Sequence, residues 1–309
     1  MAVHRRGHRQ YEGFRTSERW RFWILTRYAF GNVFHSRLLV IFYVLCFVPT
    51  LIASSAVYLS HHVDLLLSLV PDARGPSPDF ELIRVSELFF LTLMSIQASL
   101  SIFVTAMIGP GLVSPDLTNN ALPLYFSRPF SRAEYVLGKF SVLFVLLSLI
   151  TAVPMLFIYF LKSSLAGMQW FADNIHLAVA VAIGSLMWVT LISLVSLASS
   201  AWVRWKPAAA GMFFALFFIP AGFGQVANEI LRTGWGSLLN SIVVIGTLWN
   251  SLFFMNDPAG YEIAARNLNP GPRFVPPLPA WSAWAMVVAL CALSLFLLNR
   301  KVRAHEVVR

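Results

Sequence analysis

Seven histidines, two cysteines and fourteen aspartates and glutamates are the groups of this 309-residue chain able to bind a metal, attack a substrate or carry a proton. Their spacing gives them little to do. The histidines form no HExxH or other close-spaced ligand set. His61 and His62 adjoin, but in a polar stretch where a solvated pair is the ordinary state. Cys46 and Cys291 lie in apolar runs without a CxxC partner, so they read as small buried side chains. Gly138-Lys139 has the closing letters of a phosphate-binding loop, yet Phe140 replaces the Ser/Thr and Ala133 stands where the first Gly belongs. No catalytic residue and no metal ligand is assigned. ATP hydrolysis, if the protein depends on it, has to come from another subunit.

Polar residues inside apolar stretches are the next candidates. Thr92, Ser95 and Ser99 recur at three- and four-residue spacing, which places them on one helix face, and Ser193, Ser196 and Ser200 do the same. Small hydroxyl residues on membrane helices serve close packing more often than ligand contact. For both sets, packing and the lining of a path between helices stand as readings, and the first set is the candidate for the path. Gln225, Asn228 and Glu229, followed by Arg232, gather at the end of another stretch, where they gate an exit or are simply hydrated. Ion-coupled carriers place carboxylates or broken helices at mid-membrane. Here Glu87, Glu229 and Arg232 fall at the ends of apolar stretches instead.

The elements that position these residues follow from composition. The chain is 58% hydrophobic and 12% charged, where a soluble domain carries about 25% charged residues. Six stretches are long and apolar enough to cross a bilayer, which takes roughly 20 residues: 38–59, 88–109, 135–161, one within 174–203, 208–226 and 280–299. The expected fold is an all-α integral membrane protein, a single membrane domain over 1–309, with six transmembrane helices at 38–299. Pro49 is an expected kink in the first span. Residues 1–37 form a basic segment whose arginines interleave with aromatics from Phe14 to Phe34, as suits an interfacial helix. The long basic start does not resemble a cleavable signal. Residues 233–256 are apolar but broken by Gly234, Gly236, Asn240, Gly246 and Asn250, and read as an outer re-entrant hairpin. With six spans, Arg74, Arg84, Lys162, Arg232, Arg266 and Arg273 fall on one side, and the rest of the 23 lysines and arginines on the other. The positive-inside rule then puts both ends, including the tail 300–309, in the cytoplasm. In so apolar a chain the net charge of +9 points to lipid headgroups and not to nucleic acid.

The loop 112–134 carries the most specific pattern. Ser114 before Pro115 and Asp116 predicts a short helix from Pro115 to about Ala121, stopped by Pro123 and Pro129. Alone, it is too short to be stable in water. Asp116, its only charge, either meets the positive end of its own helix or a basic group on a partner. Ser131 and Glu134 form a capping box that opens the third span. The run Leu-Tyr-Phe-Ser-Arg-Pro-Phe-Ser-Arg-Ala-Glu-Tyr-Val-Leu-Gly-Lys, residues 124–139, with Asp116 upstream, resembles the signature after the second span of type-2 ATP-binding-cassette (ABC) transporter permeases. Phe126 and Phe130 depart mildly from it, and the closing Arg-Lys-Val-Arg-Ala-His-Glu-Val-Val-Arg is similar to tails in that family. The resemblance implies an exporter permease of the bacterial inner membrane, paired with a second permease in a homodimer or heterodimer. Separate ABC ATPase subunits would bind the ATP and Mg; no cofactor is expected in this chain. It further implies that Pro115, Asp116, Leu117, Thr118, Asn119 and Asn120 form a coupling helix seated on the ATPase, flanked by Arg128 and Arg132. The other readings are an ion-coupled secondary carrier and a non-transporting assembly subunit docked to an ATPase.

Overall fold

The computed structural model describes residues 21–62, 85–126, 131–254, 260 and 278–302. Among them every regular element is helical: α1 (Arg21–Val33), α2 (Arg37–Leu45), α3 (Val48–His61), α4 (Glu87–Ile108), α5 (Pro110–Thr118), α6 (Leu122–Phe126), α7 (Arg132–Ile150), α8 (Ala152–Ala166), α9 (Met168–Asp173), α10 (Ile175–Trp202), α11 (Lys206–Leu231), a 3₁₀ turn (Trp235–Leu239), α12 (Ser241–Phe253) and α13 (Ala280–Lys301). Six helical runs are long and apolar enough to cross a membrane: 37–61, 87–118, 132–166, 175–202, 206–231 and 280–301. The chain is a multi-pass membrane protein. Residues 1–20, much of the loop 257–279 and the tail from 303 lie outside the described residues, and so does Arg128.

Proline and threonine divide two of the runs. The first breaks at Cys46 and Phe47, just before Pro49, which takes the second position of α3 where no hydrogen bond is demanded of it. The third breaks at Thr151, ahead of Pro154 in the first turn of α8, and the Thr151 hydroxyl donates to the Leu147 carbonyl at 2.8 Å. Pro220 sits inside α11 without dividing it. The capping box forms as expected, with Glu134 N–H donating to Ser131 Oγ at 3.2 Å and Ser131 N–H to Glu134 Oε2 at 2.6 Å.

α10 is the central post, with α4, α5, α7, α8, α11, α12 and α13 all packed on it. In a bilayer the lipid is as apolar as the core, so close packing and hydrogen bonds hold such a bundle. The stretch Leu191–Ala201 of α10 is buried throughout, its serines included. Gly109 lies so close to this face that a Cβ there would overlap the Ser196 hydroxyl. Trp188 Nε1 donates to Ser101 Oγ at 2.8 Å, tying α10 to α4. Gln97 Nε2 donates to Thr50 Oγ1 at 2.7 Å and Tyr43 OH to the Leu146 carbonyl at 2.8 Å, tying α4 to α3 and α2 to α7.

The ends of the bundle can be told apart by their contacts. At one end α10 finishes beside the end of α13, where Lys301 lies 4.8 Å from the Trp202 ring centroid. Arg37, Arg132, Arg204, Lys206, Arg300 and Lys301 are all at this end. At the other, the start of α13 meets the 3₁₀ turn, with Trp281 and Trp235 rings 6.2 Å apart, and His176 Nε2 approaches Glu87 Oε1 at 3.7 Å. The 13 residues of α12 span about 20 Å, short of a crossing. α12 nevertheless reaches deep, since Trp249 packs 6.0 Å from Trp188, half-way along the 28 residues of α10.

Candidate functional site at the basic end

Three elements converge on α5 at the basic end. Val113 and Ser114 N–H both donate to Ser200 Oγ of α10, at 3.3 and 3.0 Å. The Ser114 hydroxyl, freed from capping, donates to the Val203 carbonyl at 2.7 Å. Thr118 Oγ1 lies 3.0 Å from the Arg204 carbonyl and 2.9 Å from that of Ser114. One flank of α5 is thereby fastened to the end of α10.

The other flank is fastened to α7 by charge. Asp116 Oδ2 lies 2.8 Å from Lys139 Nζ and accepts from Tyr135 OH at 2.7 Å. Tyr135 and Lys139 are one helical turn apart, so both project on one face of α7 toward α5. Lys139 is 7% exposed. The Tyr125 ring of α6 lies 5.7 Å from that of Tyr135, tilted against it, and burial together with the Asp116 carboxylate pushes the Tyr125 hydroxyl up in pKa. α1 joins the assembly through Thr26 Oγ1, which donates to the Gly138 carbonyl at 3.1 Å.

This arrangement corrects three expectations. The helix begins at Pro110 and not at Pro115, because Gly109 keeps helical dihedrals and carries the chain on from α4, while the Ser114 hydroxyl turns to the end of α10. It ends at Asn119 and Asn120 before Pro123 is reached. Asn120 adopts φ 51°, a left-handed turn that Asn tolerates, and Pro123 falls near the start of α6. Asp116 lies well past the start of its own helix, and the basic group it meets is Lys139 of the same chain. Leu117 is half-buried, whereas Thr118, Asn119, Asn120 and Pro123 form an exposed tip. Arg132 is exposed at the start of α7. Lys139 had entered as the closing letter of a failed phosphate loop. A lysine about two turns inside an apolar span needs a counter-ion, and Asp116 is the acid in the adjacent loop.

The remaining candidates are dispersed. Thr92, Ser95 and Ser99 share an exposed face of α4, where Ser95 and Ser99 donate to Leu91 and Ser95 carbonyls at 2.8 and 2.9 Å. Gln225 and Glu229 are exposed on α11. Asn228 turns inward, and its Nδ2 donates to Ser237 Oγ of the 3₁₀ turn at 2.7 Å. Gly224 and Gly236 let that turn lie directly on α11, because a Cβ on either would overlap the other's carbonyl oxygen. Ser193 and Ser196 are buried in the packing between helices. Among the described residues no cluster of His, Cys, Asp and Glu is placed to hold a metal ion. No protein-family model matches the chain, and no curated protein does.

Proposed function

We propose that this chain is the permease subunit of an ABC exporter, with its basic end in the cytoplasm of a bacterial inner membrane. It would pair with a second permease and be driven by separate ATPase subunits that bind the ATP and Mg. The observation that carries this reading is the bracing of α5. A lever that passes a partner's motion to the spans has to be rigid at its root and free at its tip. The root of α5 is held to α10 by Ser200 and to α7 by the Asp116–Lys139 pair, while the tip, Thr118 to Asn120, is exposed. Motion at the tip would pass directly into two spans. The basic end faces the cytoplasm by the positive-inside rule, and α12, dipping half-way into the bundle, acts as a re-entrant outer element. The exposed hydroxyl face of α4 is the surface on which a second permease would enclose a path.

The test is co-purification of the cognate ATPase with a tip variant. Asn119→Trp adds bulk at an exposed position without touching the brace. The expected outcome is normal membrane insertion with loss of the co-purifying ATPase and of transport. Retention of both at wild-type level would remove α5 as the docking element. The purified chain alone is expected to hydrolyse no ATP above background.

A further inference from the structure

A cavity of about 650 Å³ opens at the basic end, walled by α1, the start of α2, the end of α4, α5 and the starts of α7 and α11. Its volume lies within the ~300–1,000 Å³ of ordinary ligand pockets. One wall is hydrocarbon, from Leu39, Met107 and Leu112, and the other carries Tyr28, Lys206 and the Asp116–Lys139 pair. Because Lys139 neutralises Asp116, the cation left over is Lys206, which has no acidic partner among the described residues. Lys206, exposed at the mouth of the cavity, also opens α11; its N-cap Trp205 supplies no side-chain acceptor and Pro207 has no N–H, so the Lys206 and Ala208 N–H groups stand uncapped at the positive end of a 26-residue helix. The cavity lies where spans begin and end, which in a bilayer is headgroup depth.

We infer that this cavity binds the phosphate of one anionic phospholipid from the surrounding leaflet. The phosphodiester sits against Lys206 and the start of α11, and the glycerol and upper acyl chains lie along Leu39, Met107 and Leu112. Tyr28, on the interfacial side of α1, is placed to donate to the headgroup. Phosphate alone would leave the hydrocarbon wall uncovered, and a zwitterionic lipid would bring its own cation beside Lys206 and cancel part of the attraction. An anionic amphiphile satisfies both walls. The inference stands on membrane insertion alone and holds whether or not the chain is a permease.

The experiment is native mass spectrometry of the full detergent-solubilised chain titrated with phosphatidylglycerol or phosphatidylcholine. Lys206→Gln, Gly111→Phe and Arg300→Gln are compared with wild type. Gly111 lines the cavity and a Cβ there would meet nothing within 4 Å, so Phe fills space without a clash. Arg300 is exposed at the same end but outside the cavity. Wild type is expected to prefer phosphatidylglycerol about fivefold, the worth of one basic residue at a membrane surface. Lys206→Gln should abolish the preference, Gly111→Phe should remove the bound lipid, and Arg300→Gln should change neither. Equal binding of both lipids, equal losses in Lys206→Gln and Arg300→Gln, or undiminished lipid in Gly111→Phe would overturn the site. Displacement of the lipid by millimolar inorganic phosphate would overturn the amphiphile and leave a free-phosphate site.

Discussion

Lys139 is an ammonium group held at 7% exposure about two turns inside an apolar helix, and its neighbours explain why that is tolerable. A charge out of water is costly unless it is paired and hydrogen-bonded. Asp116 supplies the pairing at 2.8 Å, and Tyr135 donates to the same carboxylate oxygen at 2.7 Å. The two partners are unequal in burial, with side chains 9% and 16% exposed. Removing the acid therefore strands the more buried charge. Asp116→Asn is expected to destabilise the chain by up to about 3 kcal/mol, the low end for breaking a buried pair. Lys139→Met should cost less, because Asp116 keeps the Tyr135 hydroxyl and some water. The Asp116→Asn/Lys139→Met double variant should recover much of the loss. Thermal unfolding in detergent measures all three, and strictly additive losses would mean that the two groups are not coupled.

At the scale of elements, the 3₁₀ turn and α12 form the part of the bundle whose packing depends most on small residues. Gly224 and Gly236 meet backbone to backbone, and Asn228 closes the joint by donating to Ser237. From there α12, capped by Asn240, descends to Trp249, whose Nε1 donates to the Gly184 carbonyl at 3.2 Å. The next residue, Asn250, is wholly buried, and neither its Nδ2 nor its Oδ1 has a partner among the described residues. An unsatisfied buried amide costs about 1–3 kcal/mol. Asn250→Leu keeps similar volume and removes that cost, so the variant should unfold at a higher temperature than wild type. A lower unfolding temperature would show that a water or another polar group holds the amide. Two of the residues that mark this region as broken in the sequence, Gly236 and Asn240, supply the close approach and the helix cap. The direction in which α12 packs was not legible, because it is set by Trp188 and Gly184 in another helix.

Over the whole molecule, what was legible is what is local. An apolar run of crossing length and the Ser131–Glu134 capping box are written in consecutive residues, and both are present. The brace on α5 was not legible, because Ser200, which holds it to α10, lies 86 positions from Ser114 and its counter-ion sits in the next span. Topology falls between these cases. A seven-span chain would carry the end of α13 to the face that holds Lys162 and Arg232. The contacts oppose this, since Trp202 Nε1 donates to the Leu297 carbonyl at 3.4 Å and Lys301 covers the Trp202 ring. The end of α13 thus shares a face with Arg37, Arg132, Arg204 and Lys206. If that face is cytoplasmic, single cysteines at Ser77 and Gly271 should react with an impermeant maleimide added outside intact cells. A cysteine at Arg303 should react only after the membrane is opened. The native Cys46 is buried and Cys291 lies within α13, so replacing both with Ala for the assay should leave the labelling pattern unchanged. Labelling of position 303 from outside, with 77 and 271 protected, would invert the orientation and put the tip of α5 out of reach of any cytoplasmic ATPase. Labelling of 77 and 303 from outside, with 271 protected, would mean that α12 completes a crossing, and the six-span arrangement would fall with it.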